Sequence, residues 1–243
     1  MNNRNVASIL NNNCHGDDQY VIKNIFDRLS LDVVLDGISG KNGKFVSNFV
    51  ADIIKSREIT NSSTLNKVLR SINNTLFISG AKQFLTTVTA VLKVEGRIYV
   101  SSAGDSPAYI IRGNIIMELN ELDKGFFKYR YFYSDEKFNS LTELEQSYFS
   151  PNTVSNALGL YEKPHLHSSS YHIHSGDKLV LVTDGVSDNL SLDEIKLAAR
   201  PHRTALDSCI SIEKALQDKK SKNLGNIYGH FKNDDYTILV RYF

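Results

Sequence analysis

The sequence predicts one α+β domain, and three of its features carry that prediction. Short β-branched apolar runs stand near both ends of the chain. Two stretches near the start space their apolar residues as helices do, and no Pro-rich or low-complexity linker divides the 243 residues. Length alone would allow one large domain or two small ones. The expected domain spans 1–243, with 1–13 as a flexible N-terminal segment, because Met1 to Asn13 is polar, Asn-rich and lacks the apolar core of a signal peptide.

The elements follow in order. Residues 20–25 and 29–35 are short apolar runs and read as strands, the second broken by Asp36-Gly37-Ile38-Ser39-Gly40. From Lys44, the positions Phe45, Val46, Phe49, Val50 and Ile53 follow helical spacing. A second helix over 63–79 puts Leu65, Val68, Leu69, Ile72 and Leu76 on one face, with capping residues at 61–64. A meander of strands over 84–94, 97–102, 108–112 and 115–119 has breaks at Glu95-Gly96 and Gly113-Asn114 that suit hairpin turns. Residues 123–150 differ: aromatic residues crowd 126–133 among charges, as core, partner surface or substrate flap, and a polar helical piece follows. Residues 171–174 and 178–183 suggest a hairpin around Ser175-Gly176-Asp177. Helices over 192–199 and 204–216 and a last strand over 236–242 complete the chain.

Bulk composition narrows the function classes. Hydrophobic residues make up 41% and charged residues 23%, as in a globular protein with a sizeable core. With 28 basic and 27 acidic side chains the formal charge is +1, so nothing favours nucleic acid or an anionic membrane as partner. No apolar run approaches the roughly 20 residues that span a bilayer. The two cysteines, Cys14 and Cys209, make no disulfide framework and suit a reducing compartment. A cytoplasmic monomer is expected; secretion by a route that uses no cleaved signal would leave the same sequence.

Aspartates recur at the ends of the apolar strands. Asp17-Asp18 opens the first, Asp36 ends the second, Asp184 ends 179–183 and Asp234-Asp235 opens the last; Gly37 and Gly185 follow two of them. Gathered at one edge, carboxylates repel one another, and a hard divalent cation with oxygen ligands would relieve that repulsion. Asp and Gly are also ordinary turn formers at strand ends, and periodicity alone favours that plainer reading. The wording of the motifs shifts the balance.

Taken in order, these segments resemble the type-2C (PPM) metal-dependent serine/threonine protein phosphatases. Gly16-Asp17-Asp18-Gln19-Tyr20 stands at the family's acidic opening, and Val33-Val34-Leu35-Asp36-Gly37-Ile38-Ser39-Gly40 is similar to its Asp-Gly-x-Gly-Gly strand end. Thr86-Thr87 looks like the Gly-Thr-Thr segment with Leu85 in place of glycine. Ser102-Ala103-Gly104-Asp105-Ser106-Pro107 is similar to the Gly-Asp-Ser-Arg motif with Pro107 for arginine. Asn156-Ala157-Leu158-Gly159 resembles the Ala-Leu-Gly element. Gly176-Asp177, the strand after it and Thr183-Asp184-Gly185 match most closely, and Asn233-Asp234-Asp235-Tyr236-Thr237 is similar to the closing motif.

The resemblance implies two antiparallel β-sheets in a central sandwich flanked by α-helices, with two Mn²⁺ or Mg²⁺ ions at one edge. It implies Asp36 as the ligand shared by both ions, the Gly37 carbonyl on one, Asp184 and Asp234 on the other, and Asp18 beside them. Asp105 would serve a third, weaker ion. The implied reaction is hydrolysis of phosphoserine or phosphothreonine in a protein, by water that two cations activate. A binding module without activity is the alternative, and a hydrolase acting on a small phosphoester is a second rival. The family's phosphate-gripping arginine is missing: Asn13, Cys14 and His15 occupy its stretch, which leaves His15 or the more distant Arg4 for that contact. Other signals carry less. The alternating pairs His165/His167 and His172/His174 suit an exposed edge strand better than zinc. Gly40-Lys41-Asn42-Gly43-Lys44 lacks a phosphate loop's first glycine, and adjacent Cys14 and His15 point apart on an extended chain.

Overall fold

The computed structural model describes residues 5–26, 28–38, 42–80, 83–124, 140–142, 153–227 and 229–243. Its strands are β1 (Val6–Asn11), β2 (Asp18–Phe26), β3 (Leu29–Ile38), β4 (Leu85–Thr86), β5 (Val88–Val94), β6 (Arg97–Ala103), β7 (Ala108–Arg112), β8 (Ile115–Glu118), β9 (His167–His172), β10 (Lys178–Val182) and β11 (Tyr236–Tyr242). Its helices are α1 (Gly43–Ser56) and α2 (Ser62–Gly80) after β3, and α3 (Asp184–Ser187), α4 (Leu192–Ala199) and α5 (Ala205–Ser221) after β10. Two antiparallel sheets result, one ordered β1-β11-β10-β7-β8 and the other β2-β3-β5-β6-β9 with β4 beside β3.

Side-chain alternation explains the layering. On β3, Leu31, Val33 and Leu35 face α1 and α2, where Val46, Val50, Ile54, Leu65, Leu69 and Ile72 are buried against them. Val34 faces the other way and meets Leu179 and Leu181 of β10 and Leu239 of β11 between the sheets. Val180 and Val182, on the opposite face of β10, pack on Ile195, Cys209, Ile212 and Leu216 of α4 and α5. Both faces of the central strands are covered, so their sequences read as continuous apolar runs rather than alternating ones. The order is helices, sheet, sheet, helices, the sandwich that the motifs implied. Local signals set the later helices. Ser191 and Glu194 form a reciprocal capping box, and the Thr204 side chain accepts from the Asp207 N–H at 3.1 Å.

Three expectations need correction. Residues 6–11 are not a flexible segment: they form β1, paired antiparallel with β11 from Val6↔Arg241 to Asn11↔Tyr236, with Val6 buried between the sheets. The hairpin expected around Ser175-Gly176-Asp177 is a crossing between sheets. β9 pairs with β6 whereas β10 pairs with β7 and β11. The Arg112 guanidinium holds that crossing, donating to both Asp177 oxygens at 2.9 and 2.7 Å and to the His172 carbonyl at 2.9 Å. The strand expected over 84–94 is broken at Thr87, between β4 and β5. The aromatic stretch 126–133 lies outside the described residues. Among the described residues no helix is long and apolar enough to cross a membrane.

Candidate metal centre

Strand register brings the acids together. Asp18 pairs directly with Asp36 across β2 and β3. The Asp36 backbone is fixed by the segment before β5: its carbonyl accepts from Thr87 N (2.8 Å) and Thr86 Oγ1 (3.0 Å), and its N–H donates to Thr87 Oγ1 (3.1 Å). The other sheet reaches over through hydroxyls, Thr183 Oγ1 and Thr237 Oγ1 both donating to Asp18 Oδ2, at 2.7 and 2.8 Å. Thr183 ends the path of β10, so Asp184 opens α3 directly above this contact. Asp105 arrives from the turn between β6 and β7. Both Asp-Gly pairs are explained by close approach. A Cβ on Gly37 would stand 2.3 Å from the Gly43 carbonyl oxygen, and one on Gly185 would stand 2.0 Å from that of Asp235. Glycine thus lets α1 close on the end of β3 and α3 close on the start of β11.

Two groups of carboxylates follow, Asp17–Asp18–Asp36 and Asp36–Asp105–Asp184, each with ligand oxygens within 4.8 Å of one another, and Asp36 belongs to both. Burial, followed by repulsion from Asp184, Asp18, Asp105 and Asp234, pushes the Asp36 carboxyl well above the usual range. Burial also raises Asp18 against the pull of the Thr183 and Thr237 hydroxyls. Asp105 is pushed up to about 7 by burial and by Asp184, and Asp17 to about 7 by burial and its contact with Asp235. Asp184 goes the other way: burial opposes ionisation, but the Lys232 and Lys124 ammoniums outweigh it. A divalent cation fits this arrangement. All donors are oxygens, the acids repel one another, and the buried Asp105 Oδ1 finds no hydrogen-bond partner among the described residues.

The other expected site residues are placed differently. Asp234 is not in either group; its carboxylate lies 3.0 Å from Lys232 Nζ at the rim. Lys232 Nζ also meets Asp184 Oδ2 at 2.6 Å and Asp188 Oδ2 at 3.1 Å; against the cost of burial, these acids raise the ammonium's pKa. His15 is exposed, and its backbone N–H donates to Asp235 at 2.8 Å. Asp235 also accepts from the N–H groups of Cys14 (2.7 Å), Gly16 and Asp17, so it shapes the turn that presents the acidic pair. Burial and the Asp235 and Asp234 charges push the Cys14 thiol up, away from nucleophilic use. Arg4 lies outside the described residues. Lys44 Nζ comes within 3.8 Å of the point where a Cβ on Gly16 would stand, close to the acidic pair. Asp188, Lys124 and Lys232 were missed, and Asp17, read as half of the acidic opening, was given no ligand role. Asp188 was detectable, since it follows Asp184 by one helical turn and must share its face.

These shifts fix a pH dependence. A carboxyl whose folded pKa exceeds its ordinary value of 3.8 keeps its proton in the folded chain after the unfolded chain has lost it. The stability this contributes is complete below 3.8 and is lost as pH rises to about 7 for Asp105 and Asp17. With chelator present, the thermal midpoint of the wild type is expected to fall across that window. Asp105→Asn should flatten part of the fall, and Mn²⁺ should restore the wild type at the upper end. Parallel melting curves for the two chelated proteins across the window would refute this account.

No protein-family model and no curated protein sequence matches the chain. Solved structures do. The serine/threonine phosphatase Stp1 from Staphylococcus aureus superposes with a TM-score of 0.76 at 18% identity, over 98% of this chain and 94% of that one. The Mycobacterium tuberculosis serine/threonine phosphatase PstP/Ppp gives 0.74 at 17%, over 98% and 97%. PppA, described as a key regulatory component of T6SS in Pseudomonas aeruginosa, gives 0.72 at 18%, over 98% and 97%. Sheet order, layer order and these superpositions agree: the chain has the fold of the type-2C (PPM) serine/threonine phosphatases.

Proposed function

We propose that the chain is a metal-dependent protein phosphatase that hydrolyses phosphoserine or phosphothreonine with Mn²⁺ or Mg²⁺. The observation that supports this most is Asp36, a carboxylate common to two adjacent acidic groups. The ligands would be Asp18, Asp36, the Gly37 carbonyl, Asp184 and Asp234; Asp105, the expected ligand of a weaker third ion, has the Lys124 ammonium 3.9 Å away. Two divalent cations would supply a water acidified to hydroxide near neutral pH and charge neutralisation on the phosphoryl oxygens. The chain's own part is positioning. Thr86 and Thr87 hold Asp36, Thr183 and Thr237 hold Asp18, and Asp235 holds the 14–17 turn. Lys44 lies beside that turn and His15 within it, and we assign the substrate phosphate to them in place of the missing arginine.

A second reading, a binding module without turnover, draws on Lys232: its ammonium bonds Asp184 and lies 3.0 Å from Asp234, two of the assigned ligands. Turnover of an aryl phosphate and of a phosphothreonine peptide, with Mn²⁺ and with excess chelator, separates the readings. Activity is expected only with metal, and faster on the peptide if the substrate is a protein. In the same assay His15→Ala or Lys44→Ala should raise KM by about tenfold, roughly 1.4 kcal/mol. Full activity in chelator would overturn the metal mechanism, absence of turnover with any metal would favour the binding module, and unchanged KM in both variants would move the phosphate contact elsewhere.

A further inference from the structure

The acidic cluster is not evenly unpaired, and the two lysines beside it differ. Asp188 follows Asp184 by one helical turn, and ammonium groups occupy both of its oxygens: Lys124 Nζ bonds Oδ1, and Lys232 Nζ stands 3.1 Å from Oδ2. The side chains of Lys124 and Asp188 are 2% and 1% exposed, so neither can exchange its partner for water. Lys124 Nζ also lies 3.9 Å from Asp105 Oδ2, while Asp105 Oδ1 stays buried with no hydrogen-bond partner among the described residues. The Lys232 side chain is 19% exposed and divides itself among Asp184, Asp188 and Asp234 at 2.6, 3.1 and 3.0 Å. That lysine has solvent to move into. Lys124 does not.

On the reading of a divalent-cation centre, we propose that Lys124 is a built-in cation that sets how many divalent ions the cluster holds. Its ammonium takes Asp188 and the near oxygen of Asp105 and keeps a further ion off that side. Asp18, Asp36, Asp184 and Asp234 remain for the ions, and Lys232 is the ammonium that an arriving ion displaces. Two features support this division. Once Lys232 has moved away, Asp188 still holds Lys124 on Oδ1 in a contact that is buried on both sides, so a positive charge stays fixed beside it. A fixed positive charge at 3.9 Å from Asp105 opposes a second cation between Asp105 and Asp188. Lys124 thus acts as a specificity residue for metal number and not as a catalytic group.

The test counts ions and needs no turnover. Mn²⁺ bound per chain is measured by isothermal titration and by the loss of the free-ion paramagnetic signal, for the wild type, Lys124→Met and Asp188→Asn. Methionine keeps most of the stem and removes the charge. Lys124→Met is expected to bind one more Mn²⁺ per chain than the wild type and to gain more in thermal midpoint from Mn²⁺. Asp188→Asn should keep the wild-type count, since Asp188 is not a ligand. Equal, non-zero counts for the wild type and Lys124→Met would overturn the proposal. So would the loss of one ion in Asp188→Asn, an arm that stands even where Lys124→Met does not fold. A wild type that binds no Mn²⁺ would instead bring down the divalent-cation reading, and this inference with it.

Discussion

Asp36→Asn is expected to lower kcat at saturating Mn²⁺ on the order of 10³-fold, about 4 kcal/mol of activation free energy, while the fold survives. Asp36 is the residue that both acidic groups share, so no other carboxylate can replace its link between them. Asparagine keeps the shape and loses the charge; an amide oxygen is a weak substitute where a ligand must serve two ions. The same change removes a buried carboxyl that burial and four neighbouring acids disfavour as an anion. Stability without metal should therefore hold or rise as activity collapses. That opposite movement separates loss of a ligand from simple unfolding. Steady-state kinetics on an aryl phosphate and thermal melts in chelator measure both. A variant that keeps more than about a tenth of wild-type kcat, a deficit below about 1.4 kcal/mol, would remove Asp36 from the bridging role.

Where the sequence was legible, local chemistry and tertiary position pointed the same way. Asp36 and Asp184 each follow an apolar run and precede a glycine, and the fold brings the two carboxylates into one group. The glycines were expected for turn freedom. They are required because a Cβ would strike the backbone of Gly43 or Asp235, a constraint that exists only after distant elements pack. β1 was misread because Asn-rich flanks hide its short apolar run: Val6 is buried between the sheets, Ala7 and Ile9 pack on the opposite face, and Asn11 donates to the Tyr236 hydroxyl. The false hairpin arose from a turn-like Ser-Gly-Asp between two strands, because sequence does not say which sheet each strand joins. The lysines were least legible. Lys124 lies 64 positions from Asp188 and Lys232 lies 48 from Asp184, so no local pattern announces them.

Arg241→Met is expected to destabilise the folded chain by about 3–5 kcal/mol, because it breaks a buried ion pair and strands one charge. Asp32 and Arg241 interrupt otherwise apolar strands, at positions whose parity matches Val34 and Leu239, so both side chains point between the sheets. There they meet. Arg241 Nε bonds Asp32 Oδ2, Arg241 Nη2 donates to Asp32 Oδ1 at 2.7 Å, and Arg241 Nη1 donates to Asn24 at 3.0 Å. Asp32 is 1% exposed, and without the guanidinium its carboxylate has no water to replace the loss. Replacing both partners, Asp32→Leu with Arg241→Met, should recover most of the deficit, because an apolar pair of similar volume carries no stranded charge. The site should feel the single change too. β3 carries both Asp32 and Asp36, and β11 carries Arg241 and follows directly on Asp234 and Asp235, so loosening the pair is expected to reach the acidic edge through these two strands. Urea unfolding gives the stability difference, and Mn²⁺ titration of the folded fraction should show weaker binding for Arg241→Met. If the single variant loses less than about 1 kcal/mol, the range of an exposed pair, the pair does not hold the sheets together.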